Sequence, residues 1–233
     1  MVALTLMSSN VISCLEKLDE SSRSVVEALA RAMNTRDNFT YPHAQRVQRY
    51  AAVLAIEACA GDLRMLEAIN AAALLHDIGK LGIPDRLLQK PGPLTSDEYD
   101  QVKQHAILGA DILSAMAFPG PLALIVRHHH ENWDGTGYPD GLRGEAIPLG
   151  ARVLAIVDCY DAITSDRPYR RALPHDCAVA MILERRGTMY QPEISDAFFR
   201  VIGDLRTVAE RERAGASRTR AQAQALRQLA RVV

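Results

Sequence analysis

Apolar residues in this chain recur at steps of three and four, and an alternation of period two is nowhere sustained for the length of a strand. Val25, Val26, Leu29 and Met33 follow helical spacing. So do Val47, Tyr50, Ala51, Leu54 and Ala58, and then Leu66, Ile69, Ala73 and Leu74 in a helix expected over 64–76. Thr95 and Glu98 have the spacing of a capping box, in which each side chain satisfies a free backbone N–H at a helix start. That helix runs through Tyr99, Val102, His105, Leu108 and Ile112, and another follows Pro121 and ends near His130. Pro148 suits the first turn of a helix over 149–164, and two more are expected near 174–186 and 192–205. Ile83-Pro84-Asp85, Lys90-Pro91-Gly92-Pro93 and the stretch 133–148 are loops, the last with four glycines and two prolines. Sparse aromatics and abundant Ala and Leu agree with helix. The expected fold is all-α.

A length of 233 residues suits one medium domain with extensions. We expect a leader or linker over 1–22, the folded domain over 23–205, and an Arg/Ala-rich tail over 206–233, helical or disordered. That tail carries seven Arg against two acids. A net charge of −1 points to no nucleic-acid partner. The longest apolar runs, Ala71–Leu75 and Val153–Val157, are far short of the ~20 residues of a membrane span. Met1–Leu15 has no basic region ahead of its apolar run, so no secretory signal is expected. Cys14, Cys59, Cys159 and Cys177 lack CxxC spacing and sit in apolar-periodic stretches, the pattern of reduced thiols in a cytoplasmic protein.

The chemistry gathers in the histidines. Six of the seven fall between 43 and 130: His43, His76, His105, His128, His129 and His130. His76 and Asp77 follow directly on the apolar run Ala71–Leu75. A buried ionised aspartate needs a partner, because desolvating it alone costs several kcal/mol, and a metal ion supplies one. His130-Glu131-Asn132-Trp133-Asp134 has the outline of HExxH, but Asp134 replaces the second histidine and Gly135 follows at once, so a zincin site is excluded. Asp158 adds a carboxylate inside the apolar stretch 153–160. Imidazole and carboxylate together suit iron, manganese or zinc better than magnesium. More ligands are present than one ion needs, and a pair of ions sharing a carboxylate is a recurring device for phosphoester hydrolysis.

His76-Asp77-Ile78-Gly79-Lys80 resembles the HDxGK signature of HD-domain phosphohydrolases. The run from Arg127 through His128-His129-His130-Glu131-Asn132-Trp133-Asp134-Gly135-Thr136-Gly137-Tyr138-Pro139 closely resembles that of the HD-GYP family. Ile83-Pro84-Asp85, Lys90-Pro91-Gly92 and the stretch from Asp158 through Arg167-Pro168-Tyr169-Arg170 are similar too, so the resemblance spans about residues 24–202. It implies an HD-type helical bundle around a central di-metal site and a phosphodiesterase that opens c-di-GMP to pGpG and on to GMP. It implies one ion on His43, His76, Asp77 and Asp158, and a second on His105, His129 and His130, with Asp77 bridging and His128 left out. Lys80 corresponds to a residue facing the substrate phosphate, and Arg167 and Arg170 to residues at the ligand's phosphates, a task guanidinium forks suit. Tyr138 is a candidate contact for ligand or partner protein.

The implied cofactor is two divalent ions, iron or manganese ahead of zinc, magnesium, nickel and cobalt. The implied partners are c-di-GMP, a diguanylate cyclase or other signalling protein, and a second copy of the chain. Two departures from the family pattern stand out. Phe39 lies four residues before His43, where some members offer a glutamate to a third ion, and Asp37 is the acid that could replace it. Gln191 stands before Pro192 where an Asp is common, altering a helix cap. Two rival readings are a catalytically silent c-di-GMP receptor and a phosphohydrolase of another nucleotide. The complete ligand set speaks against the first and the GYP loop against the second.

Overall fold

The computed structural model describes residues 20–34, 40–59, 61–116, 118, 120–166 and 171–207. Its helices are α1 (Glu20–Asn34), α2 (Thr40–Ala58), α3 (Leu63–Leu75), the single turn α4 (Asp85–Leu88), α5 (Ser96–Ser114), α6 (Leu122–His128), α7 (Leu149–Thr164), α8 (His175–Glu184) and α9 (192–207). Short 3-10 turns cover Ile78–Gly82 and Gly144–Ala146. Among the described residues there is no strand, and the fold is all-α. No helix among them is long and apolar enough to cross a membrane. The leader as far as residue 19, the tail from 208, Phe39, Asp37, Arg167 and Arg170 lie outside the described residues.

Helices α3 and α7 form the centre. Every residue from Ala68 to Leu75 is buried, and α7 buries Ala151, Val153, Leu154, Ile156, Val157 and Tyr160. A helix apolar on all sides must be packed on all sides. α3 touches α1, α2, α6 and α7, while α7 touches α2, α3, α6 and α8. The outer helices are amphipathic: α2 turns Ala44, Val47, Tyr50, Ala51, Leu54 and Ala55 inward. On α1 the buried positions are Val26, Ala30 and Met33, whereas Val25 is exposed, because adjacent helical residues point about 100° apart. Tyr160 joins α2 to α9 through edge-on contacts with Tyr50 and Phe198, at ring separations of 5.3 and 5.6 Å.

The ends of the helices explain the sequence signals. The Thr95 hydroxyl accepts from the Glu98 N–H, and the Glu98 carboxylate accepts from the Thr95 N–H. At residue 191 the Gln side chain does not cap α9; its oxygen accepts from the Arg152 guanidinium at 2.6 Å. α6 ends at His128, so His129 and His130 lie in the turn that follows. α3 likewise stops at Leu75, and Asp77 adopts φ −94°, ψ 5° before the 3-10 turn. That turn presses against α5. A Cβ on Gly79 would lie 1.9 Å from the His105 carbonyl oxygen and 2.5 Å from the Gly109 nitrogen, so only glycine lets the two backbones meet.

Candidate metal centre

Five elements send side chains to one buried region. His43 comes from the first turn of α2, His76 and Asp77 from the end of α3, and His105 from the middle of α5. His129 and His130 follow α6, and Asp158 lies on α7. All seven sequence-derived ligand candidates are therefore brought together. His43, His76 and Asp158 form one group with ligand atoms within 4.8 Å of one another, and His105, His129 and His130 form a second. Asp77 lies between them: its Oδ2 is 3.5 Å from Nε2 of His76 and its Oδ1 is 3.7 Å from Nε2 of His105.

The ring orientations are set by the backbone. Nδ1 of His76, His105 and His129 each meets the carbonyl oxygen three residues earlier, on Ala73, Val102 and Val126, at 3.0, 2.7 and 2.6 Å. A carbonyl only accepts, so Nδ1 holds the proton and Nε2 presents a lone pair inward. Nε2 of His105 and Nε2 of His129 are buried with no hydrogen-bond partner. Leaving such a group unsatisfied costs about 1–3 kcal/mol. Buried imidazole lone pairs converging beside carboxylates are a donor set that fits divalent transition-metal ions.

His43 is oriented differently. Its Nδ1 lies 2.6 Å from Oδ2 of the fully buried Asp161, and its Nε2 lies 3.1 Å from Oδ1 of Asp158. Arg46 donates to the same Asp161 carboxylate through Nε at 2.7 Å and a terminal nitrogen at 3.0 Å. Neither Asp161 nor Arg46 was anticipated. The available signal was the spacing Asp158-x-x-Asp161, which puts both acids on one helical face.

Electrostatics set the protonation states. Burial opposes a charge on His43, but hydrogen bonds to Asp158 and Asp161 outweigh it and raise its pKa to about 9. Burial pushes His130 down to about 4 despite the attraction of Asp158, and burial also lowers His129 and His105. Burial opposes ionisation of Asp77 as well, yet the charges of Lys80, His76, His105 and His43 hold it well below the usual carboxylate range. Asp158 is held low against burial by its hydrogen bond from His43. Neutral His105, His129 and His130 beside ionised Asp77 and Asp158 are in the states metal ligation requires, whereas His43 must give up a proton to join them.

Lys80 donates to Asp77 Oδ2 at 2.7 Å. Asp77 thus has a charge partner within the chain, three residues on, besides the metal ion expected from the sequence. The 3-10 turn brings the ammonium back over the carboxylate.

The glycine-rich loop is pinned by Glu131, another residue whose role the sequence did not disclose. Its buried carboxylate accepts the backbone N–H groups of Asp140 and Leu142 at 2.8 and 3.1 Å. A glutamate turned into its own loop in this way is no zincin base, in keeping with the exclusion of that site. Gly137 serves close approach: a Cβ there would lie 2.3 Å from the Asn132 nitrogen. His128 stands apart from both ligand groups. It bonds the Leu124 carbonyl and Asp140, which also takes two bonds from Arg127. His128, Glu131 and Asp140 come close enough to suggest a third cluster, but these partners make it a clamp on the loop.

Beside the centre lies a cavity of about 360 Å³ whose lining includes His129, His130 and Asp158. Tyr138 lies across His130 with ring centroids 4.9 Å apart, and Tyr99 and Lys103 of α5 complete that side. Cys159, Met189 and Tyr190 also line it.

The sequence profile of the HD domain family matches residues 27–194. The cyclic di-GMP phosphodiesterase response regulator RpfG of Xanthomonas campestris pv. campestris is 39% identical over 196 residues, covering 83% of this chain and 52% of that protein. The 3'3'-cGAMP-specific phosphodiesterase 3 of Vibrio cholerae is 37% identical over 169 residues, covering 72% of this chain and 36% of that protein. The chain therefore spans about half the length of RpfG or less of such relatives. Among solved structures, Bd1817, an HDG"Y"P protein from Bdellovibrio bacteriovorus, aligns with a TM-score of 0.58 at 19% identity, covering 84% of this chain and 69% of that one. At that identity the likeness concerns the fold.

Proposed function

The chain belongs to the HD domain family, with the motifs of its HD-GYP group, and on that premise we propose that it is a metal-dependent phosphodiesterase of cyclic dinucleotides. One observation carries this reading: a single buried carboxylate, Asp77, faces a histidine group on each of its oxygens. His43, His76, Asp77 and Asp158 would hold one divalent ion and Asp77, His105, His129 and His130 a second, with iron or manganese as the occupants. When bound, such a pair activates water and neutralises charge on the phosphoryl oxygens.

The chain's own side chains do the rest. Carbonyl-bonded Nδ1 atoms turn Nε2 of His76, His105 and His129 inward, and Asp161 does the same for His43. Lys80 keeps an ammonium beside the bridging carboxylate, where a phosphate oxygen would receive it. Tyr138 offers an aromatic face to the ligand, and Arg167 and Arg170 are proposed as further phosphate contacts.

The substrate we propose is c-di-GMP, opened to pGpG and then to GMP, as the name of RpfG suggests. A relative named for 3'3'-cGAMP makes that the comparison substrate. Turnover of both should be measured after anaerobic purification and loading with iron or manganese. Faster opening of c-di-GMP is expected. Preference for 3'3'-cGAMP would change the substrate, and tight binding without hydrolysis under any metal would make the chain a receptor.

A further inference from the structure

The aromatic side of the cavity holds a cation that the proposed metal chemistry does not use. Among the described residues lining the cavity, Lys103 is the one lysine or arginine. It stands two residues before His105 on α5. Its Nζ lies 4.8 Å from the centre of the Tyr99 ring and 5.7 Å from that of Tyr138. The two rings meet edge-on at 6.4 Å, and Tyr138 in turn lies against His130. The ammonium is thus braced between two aromatic faces, one ring away from the metal-ligand histidines. Cation–π contacts hold a lysine in this way without consuming its N–H donors.

The one anion on it is Asp100, at 2.7 Å and one turn earlier, with its side chain largely exposed. Such exposed pairs contribute little, so a phosphate entering the cavity can take the ammonium from Asp100.

A cyclic dinucleotide carries two phosphodiesters on opposite sides of one ring. The scissile one belongs at the metal centre with Lys80, and the other must come to rest elsewhere in the cavity. Resting on the phosphodiesterase reading above, we infer that Lys103, braced by Tyr99 and Tyr138, receives the non-scissile phosphate. The contact would favour substrates with two phosphates over simple diesters.

The test compares wild type, Lys103→Ala and Lys103→Arg, each loaded with metal, on c-di-GMP and on bis(p-nitrophenyl) phosphate, which has a single phosphodiester. Direct binding of c-di-GMP and metal content are measured alongside. Loss of a charge-assisted contact predicts a rise of roughly ten- to hundred-fold in KM and Kd for c-di-GMP in Lys103→Ala. The loss of kcat/KM on the simple diester should be several-fold smaller, metal content should hold, and Lys103→Arg should recover most of the affinity. Equal losses on both substrates, or unchanged c-di-GMP affinity, would overturn the assignment. Weakened binding in Lys103→Ala with no turnover by wild type would refute the phosphodiesterase reading while leaving the Lys103 contact standing.

Discussion

Asp161 lies 2.6 Å from Nδ1 of His43, and this carboxylate decides which ring nitrogen of that histidine faces the centre. It reaches from α7 to α2, where Arg46, one turn after His43, donates to both of its oxygens. A histidine on the first turn of a helix would otherwise be free to present either nitrogen.

Asp161→Asn should therefore weaken metal at the His43 group by about 10–100-fold, the usual range for an outer-shell partner. The amide keeps the volume but removes the charge that fixes the tautomer. Titration against a competing chelator measures this. Unchanged affinity would show that packing alone orients His43.

Gly79→Ala should act at a distance on the second group. The added methyl would fall 1.9 Å from the His105 carbonyl oxygen, a backbone atom that cannot step aside alone. Either α5 or the 3-10 turn must move, at a cost of about 1–3 kcal/mol, the range for overpacking. We expect a lowered Tm together with partial loss of metal. A variant with wild-type Tm and full metal content would mean that the two elements are not held in register by this contact.

Metal loading should release a proton from His43. Its pKa in the metal-free protein is raised from 6.5 to about 9, so the ring is charged in between. Ligation needs a bare Nε2, hence loading at pH 7.5 displaces about one proton per chain from this residue, and the release fades as pH rises through 9. The same shift makes the charged ring a stabilising feature of the metal-free fold. That contribution is complete below pH 6.5 and is lost as pH rises through 9. His130, lowered to about 4, is already neutral at pH 7.5 and releases nothing. Calorimetry in buffers of different ionisation enthalpy counts the protons. Equal release by His43→Ala would contradict the assignment.

The helices were readable because the outer ones carry their apolar stripes in the sequence, and the capping box marks the start of α5. The candidate ligands were legible because they fall within the motifs of the resemblance, and the fold brings them together. What stayed hidden depends on chain crossings. Arg46 and Asp161 are 115 residues apart and meet only because α2 packs on α7. Gly79 looks like a motif letter until α5 is laid across it. Lys80 reads as a substrate residue, and its bond to Asp77 follows from α3 giving way to a 3-10 turn. Glu131 follows three histidines in the sequence without an assigned role, and only the folded loop shows it holding two backbone amides.

The central claim is that Asp77 joins two histidine groups into one dinuclear centre, and metal stoichiometry in Asp77→Ala tests it most directly. Anaerobically loaded wild type should hold two ions per chain, and the variant should lose most of both, with turnover lost alongside. Asp77→Ala that keeps two ions and wild-type turnover would contradict the account. A wild-type stoichiometry of one would do the same.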